Sequence, residues 1–75
     1  MFTLELRFIK NGIKFSRYYC KKYKGMFVLS EDEDNALRFK KMSSAIRSAR
    51  LYDKRTQGSN LDMIGYSVTL IEGRV

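Results

Sequence analysis

The sequence predicts an α+β fold: one antiparallel β-sheet of four or five strands with a single α-helix packed on one face, in the order β-β-β-β-α-β. Phe2, Leu4, Leu6 and Phe8 alternate with Thr3, Glu5 and Arg7, the period-two pattern of a half-buried strand. Tyr66, Val68 and Leu70 repeat that pattern near the other end. Asn11-Gly12 is a strong hairpin signal, because a type I′ turn needs positive φ at both central residues. Met42, Ala45, Ile46, Ala49 and Tyr52 recur at helical spacing, with Asp53 the polar exception on that stripe. A lone helix of about a dozen residues is marginal in water, so this one needs a sheet to lie on. A sheet under one helix is the economical two-layer solution.

The first strand therefore covers the alternating N-terminal residues, and the second runs from Ile13 towards Tyr19. A two-residue loop sets Phe15 opposite Phe8 and Tyr19 opposite Leu4. It also sets Arg17 opposite Leu6, on the core side. Two solutions stay open: Arg17 reaches past an edge, or a bulge near Ser16 turns Tyr18 inward instead. Lys21-Lys22-Tyr23-Lys24-Gly25 reads as a basic turn, and residues 26–29 as a short apolar third strand. Ser30 and Glu33 have capping-box spacing, so a helical turn can start at Ser30. Residues 36–39 return as a fourth short strand. The helix follows, with Ser43 or Ser44 as its cap, Lys54 and Arg55 suited to its negative pole, and Gly58 as its stop. Ala45 and Ala49 are small enough to let it sit close on the sheet. Leu61, Met63 and Ile64 are expected to tuck under the sheet edge. Gly65 is expected to open a last strand over residues 66–72, with residues 73–75 a frayed end.

Seventy-five residues make one domain, 1–75, with no proline, repeat or linker. A chain of this size buries roughly 60–65% of its unfolded surface, so the core is modest. Ten aromatic residues enlarge it. A single cysteine, Cys20, cannot form an intramolecular disulfide, which fits a reducing cytoplasm. No apolar run reaches the roughly 18–20 residues of a membrane span, and the alternating N-terminus is not a signal peptide.

The chain lacks histidine, and with it the usual general base, the Ser-His and Cys-His nucleophile pairs and the commonest transition-metal ligand. Cys20 without a second cysteine makes no ordinary zinc site and reads as a half-buried small hydrophobe on a strand. The glycines are scattered as turn residues and form no phosphate loop. Asp32, Asp34 and Ala36 fall at calcium-loop spacing, but Ala36 offers no oxygen and no glycine follows for the sharp turn. We therefore expect no enzyme activity, no cofactor and no metal. The acidic run 31–34 reads as a solvated turn that offsets its basic neighbours, or as a loop for self-association.

Charge carries the functional reading. The net charge is +7, divided as +6 over residues 1–24, −4 over 25–37, +6 over 38–55 and −1 over 56–75. Such a distribution attracts polyanions. Arg47, Arg50 and Lys54 recur at spacings of three and four on the exposed helix face, and Lys40 and Lys41 precede the helix start. Together these five are the first candidates for phosphate contacts. The outer sheet face offers a second set, Lys14, Tyr18 and Lys22, beside Arg7, Ile9 and Cys20. The expected partner is nucleic acid. The alternatives are a host protein, bound or inhibited, and a second copy of this chain paired through an edge strand.

Two resemblances bear on this. Residues 26–29, the acidic turn 30–34, then Ala36-Leu37-Arg38-Phe39 and Ala45 resemble the short uncharacterised proteins encoded by phages and prophages of low-GC Gram-positive bacteria. That resemblance implies a bacterial cytoplasmic location and a role in early infection or lysogeny, with no activity assigned. Phe39, Ala45 and Tyr52-Asp53 are also similar to the strand-to-helix segment of AP2-type DNA-binding domains, which lay a three-stranded sheet in the major groove. Here the Tyr-Asp pair lies one helical turn too far on, and the tryptophans and arginine-rich strands of that family are missing.

Overall fold

The computed structural model describes residues 1–56 and 62–71. The N-terminal alternation forms strand β1 (Phe2–Lys10), whose Leu4, Leu6 and Phe8 are fully buried. Asn11 and Gly12, at φ 53° and 78°, turn the chain into β2 (Ile13–Tyr23). A second two-residue turn, Lys24 and Gly25 at φ 50° and 78°, leads into β3 (Met26–Ser30). After a single 3₁₀ turn (Glu33–Asn35) come helix α1 (Met42–Thr56) and β4 (Asp62–Leu70). The sheet order is β3-β2-β1-β4, antiparallel throughout, with α1 packed on one face. The α+β expectation is thus met with four strands.

Register decides the question that Arg17 raised. Phe8 pairs with Phe15 and Leu6 with Arg17, without a bulge, so Arg17 does start on the helix side. It escapes sideways. Its guanidinium lies 4.8 Å from the Phe15 ring centroid, donates to the Ser16 carbonyl at 2.8 Å and meets the Glu31 carboxylate at 3.1 Å. The apolar stem covers core while the charge reaches water. Tyr18 consequently points to the outer face and Tyr19 into the core.

The core lies between the sheet and α1. Phe8 stacks on Phe15 at 5.4 Å and meets Tyr52 edge-on at 5.9 Å. Phe27 meets Tyr52 at 5.0 Å and Tyr19 at 6.1 Å. Ala45 and Ala49 have no exposed surface, so the helix backbone comes close to the strands. Met42, at the end of the expected stripe, is instead exposed.

Several local expectations are corrected. Residues 36–39 make no ladder strand. They wedge where β1 and β2 part: Leu37 N–H donates to the Tyr19 carbonyl at 2.9 Å, and Phe39 exchanges two backbone bonds with Phe2 at 2.7 and 2.8 Å. Four residues with Phe39 and Ala36 turned inwards satisfy the freed backbone without adding a sheet strand. The basic turn is shorter than expected, since β2 continues through Tyr23 and only Lys24-Gly25 turns. The helix begins before its serines. The Lys41 carbonyl accepts from Ser44 and Ala45, which makes Lys41 the cap and puts Ser43 and Ser44 inside the first turn. The acidic turn is capped by Asp32, which accepts from Asp34 N–H at 2.9 Å, while Ser30 Oγ accepts from Asp32 N–H at 3.0 Å. β4 starts at Asp62, and a bulge between its pairs with Arg7 and Phe8 leaves Ile64 exposed while Met63 packs on the core. The expected helix stop at Gly58, the tuck of Leu61, the strand residue Glu72 and the frayed end 73–75 lie outside the described residues.

Candidate functional site

α1 buries one stripe, Ala45, Ala49 and Tyr52, and the 3.6-residue period puts Arg47, Arg50 and Lys54 on the opposite side. All three are exposed, as are Lys40 and Lys41 in the lead-in. Arg38 and Arg55 add two exposed cations, and the helix carries a single acid, Asp53. Among the described residues the ion pairs are Arg7–Glu5 and Arg17–Glu31, so no carboxylate neutralises Lys40, Lys41, Arg47, Arg50 or Lys54. The first turn of α1 holds no acidic residue, and its amides point towards the two lysines. Helical period thus puts Arg47, Arg50 and Lys54 on one side of α1, and Lys40 and Lys41 stand exposed just before its start.

The second expected set does not stay together. A register shift between Tyr19 and Lys21, where Cys20 is the extra residue, reverses the facing of the strand beyond it. Lys22 then pairs with Phe27 and lies on the helix side, its ammonium 5.6 Å from the Phe27 ring centroid. Lys14 and Tyr18 remain on the outer face. Tyr18 pairs with Glu5. Its hydroxyl is pushed above the ordinary tyrosine range by desolvation first, then by the charges of Glu33 and Glu5 and hydrogen bonding to both carboxylates. Arg7 on that face is held by Glu5 and Ser67. The outer face is therefore a mixed polar surface, not a basic one. Cys20 is half-buried at the bulge, its thiol 3.6 Å from the Tyr18 carbonyl.

The basic turn expected over residues 21–25 is the tip of the β2–β3 hairpin, and of its residues only Lys22 was among the expected site residues. Lys21, Lys22, Tyr23, Lys24 and Met26 are all exposed there. The ammonium groups of Lys21 and Lys24 lie 5.6 and 5.4 Å from the Tyr23 ring centroid. A hairpin signal was present: Lys24-Gly25 has two-residue length between Lys22-Tyr23 and Met26-Phe27. Lysine in the left-handed position, instead of asparagine, made the turn read as five residues long.

Among the described residues, no group of three or more carboxylate or thiol side chains is placed to hold a metal, and no helix is long and apolar enough to cross a membrane. Compared with family models, curated proteins and solved structures, the chain matches none.

Proposed function

We propose that the protein binds nucleic acid through the outer face of α1 and its lead-in. The observation that supports this is the set of exposed cations without a carboxylate partner among the described residues, Arg47, Arg50 and Lys54 on α1 and Lys40 and Lys41 immediately before it. Cations held in this way release counterions when they meet phosphates, so binding falls steeply with salt. The test is fluorescence anisotropy on labelled single- and double-stranded DNA and RNA across a salt series. Neutralising Arg47, Arg50 and Lys54 to glutamine together should lower the log–log salt slope by about one per true phosphate contact. Unchanged affinity and slope in that variant would end this reading.

One further observation favours self-association as a second reading. β4 is a nine-residue edge strand with no charged side chain from Met63 to Leu70, and Ile64, Tyr66 and Leu70 are exposed along it. Open edges of this kind pair with other strands. Light scattering at rising concentration tests it, and a monomer mass throughout removes it.

A further inference from the structure

We infer that the β2–β3 hairpin tip is a DNA-groove-entering ribbon, carried by Lys21, Lys22 and Lys24. The inference rests on the nucleic-acid reading and extends it to a second element and to one kind of nucleic acid. β1 pairs with β2 only as far as Glu5 and Tyr18, whereas β2 and β3 remain paired to Tyr23 and Met26. Beyond Tyr19 the ribbon runs four residues further on β2, about 13 Å at strand rise, and Phe27 on its helix side still packs on Tyr19 and Tyr52, so the part clear of the body is the end from Lys22 through the Lys24-Gly25 turn. Its lysines are distributed all round it. Lys21 shares the outer face with Tyr23 and Met26, Lys22 lies on the opposite face opposite Phe27, and Lys24 stands at the apex. A flat anionic surface would meet only one face of such a ribbon. A groove reaches the sides and the apex of its end, where Lys21, Lys22 and Lys24 are all exposed, because phosphates line both walls.

Residue choice argues the same way. The first hairpin fills its left-handed position with Asn11, and the second fills the equivalent position with Lys24 at φ 50°. Asparagine and glycine are favoured there, and lysine is disfavoured. Lys41 repeats the pattern. It occupies the cap of α1, where serine, threonine, aspartate or asparagine would satisfy an amide. The two lysines belong to the same end of the molecule. Phe39 bridges to Phe2 immediately before Lys40 and Lys41, and β2 runs past that end to the tip. Local rules broken twice, by the same side chain at one end, mark a site where charge matters more than stability.

The major groove of B-form DNA, about 12 Å wide, admits a two-stranded ribbon, whereas that of A-form RNA is too narrow. The experiment compares a DNA duplex with an RNA duplex of the same sequence, by anisotropy between about 50 and 200 mM salt. Dimethyl sulfate protection of guanine N7 reads groove entry. Lys24→Gly and Lys41→Ser are each expected to raise Tm and yet weaken DNA binding, lowering the salt slope by about one. Opposite signs of that kind exclude loss of folding as the cause. Lys21→Gln with Lys22→Gln and Lys24→Gly should lower the slope by about three, abolish N7 protection and erase the preference for DNA over RNA. The Arg47, Arg50 and Lys54 glutamine variant should lower the slope and keep that preference. Tip variants that bind as the parent does, with the helix variant impaired, overturn the ribbon alone. A parent protein that binds no duplex but binds single strands through α1 also overturns the ribbon alone. A parent that binds no nucleic acid overturns both readings. Binding of phosphatidylserine vesicles that needs the tip, beside duplex binding that does not, reassigns the tip to a membrane surface and overturns the proposal.

Discussion

Asn11 and Lys24 occupy the same position in two hairpins of the same geometry, at φ 53° and 50°. A side chain in left-handed backbone clashes with its own carbonyl at a cost of roughly 1–2 kcal/mol, which asparagine offsets locally and glycine avoids. Lys24→Gly should therefore stabilise the protein by about 1 kcal/mol, roughly 4–8 °C in Tm for a domain of this size, read by circular dichroism. An unchanged Tm would mean that Lys24 is not strained. Arg17 poses the complementary case. Its partner Glu31 is 80% exposed, and exposed pairs contribute about 0–1 kcal/mol, so the packed stem matters more than the charge. Arg17→Met should keep stability within about 0.5 kcal/mol, and Arg17→Ala should cost more because Phe15 loses its cover. Urea midpoints separate the two, and equal losses would show that the charge carries the effect. The side chain of Arg17 was legible only as a conflict. Alternation placed it on the core side, correctly, but sequence spacing carries no information about the lateral room beside Phe15 that lets it leave.

At the scale of elements, legibility followed periodicity. The hairpin at Asn11-Gly12, the alternating strands and the helical stripe all lie where local pattern and packing agree. Residues 36–39 were misread because their apolar character suits a strand equally well as a wedge, and the gap they fill exists only once β1 and β2 diverge. The facing of Lys22 was lost to the Cys20 bulge, which inverts alternation without any glycine to announce it. The basic surface of α1 was legible because helical period fixes which side faces away from the sheet. That surface depends on the helix seating closely, which Ala45 and Ala49 allow. Ala49→Leu inserts three methylene-sized groups where no surface is exposed and should cost about 1–3 kcal/mol by overpacking. Thermal unfolding reads this directly, and a neutral result would show the helix free to lift. Binding measured below the new Tm should persist, because the cations of α1 remain on its outer side.

The whole molecule carries +7, with both basic blocks reaching the end where the helix begins and the β2–β3 tip projects. Self-repulsion of that kind is screened by salt within about 10 Å at 0.1 M, so added salt should raise stability while weakening any bound polyanion. Alkaline pH tests the packing, because ionisation of the buried tyrosines disrupts it. Burial pushes the hydroxyls of Tyr19 and Tyr52 above the ordinary tyrosine value of 10.0, and desolvation with the carboxylates of Glu33 and Glu5 does the same at Tyr18. In the unfolded chain these groups ionise near 10, while the folded chain still holds their protons. Unfolding then releases protons, so stability is at its full value below about pH 10 and falls as pH rises towards the raised folded values. Urea midpoints measured from neutral pH upwards should be flat and then decline above about 10. Tyr19→Phe keeps the ring against Phe27 and Phe39 and removes one ionising group, so its decline should be shallower than the parent's. A steeper or identical decline would place the loss elsewhere than in the buried tyrosines.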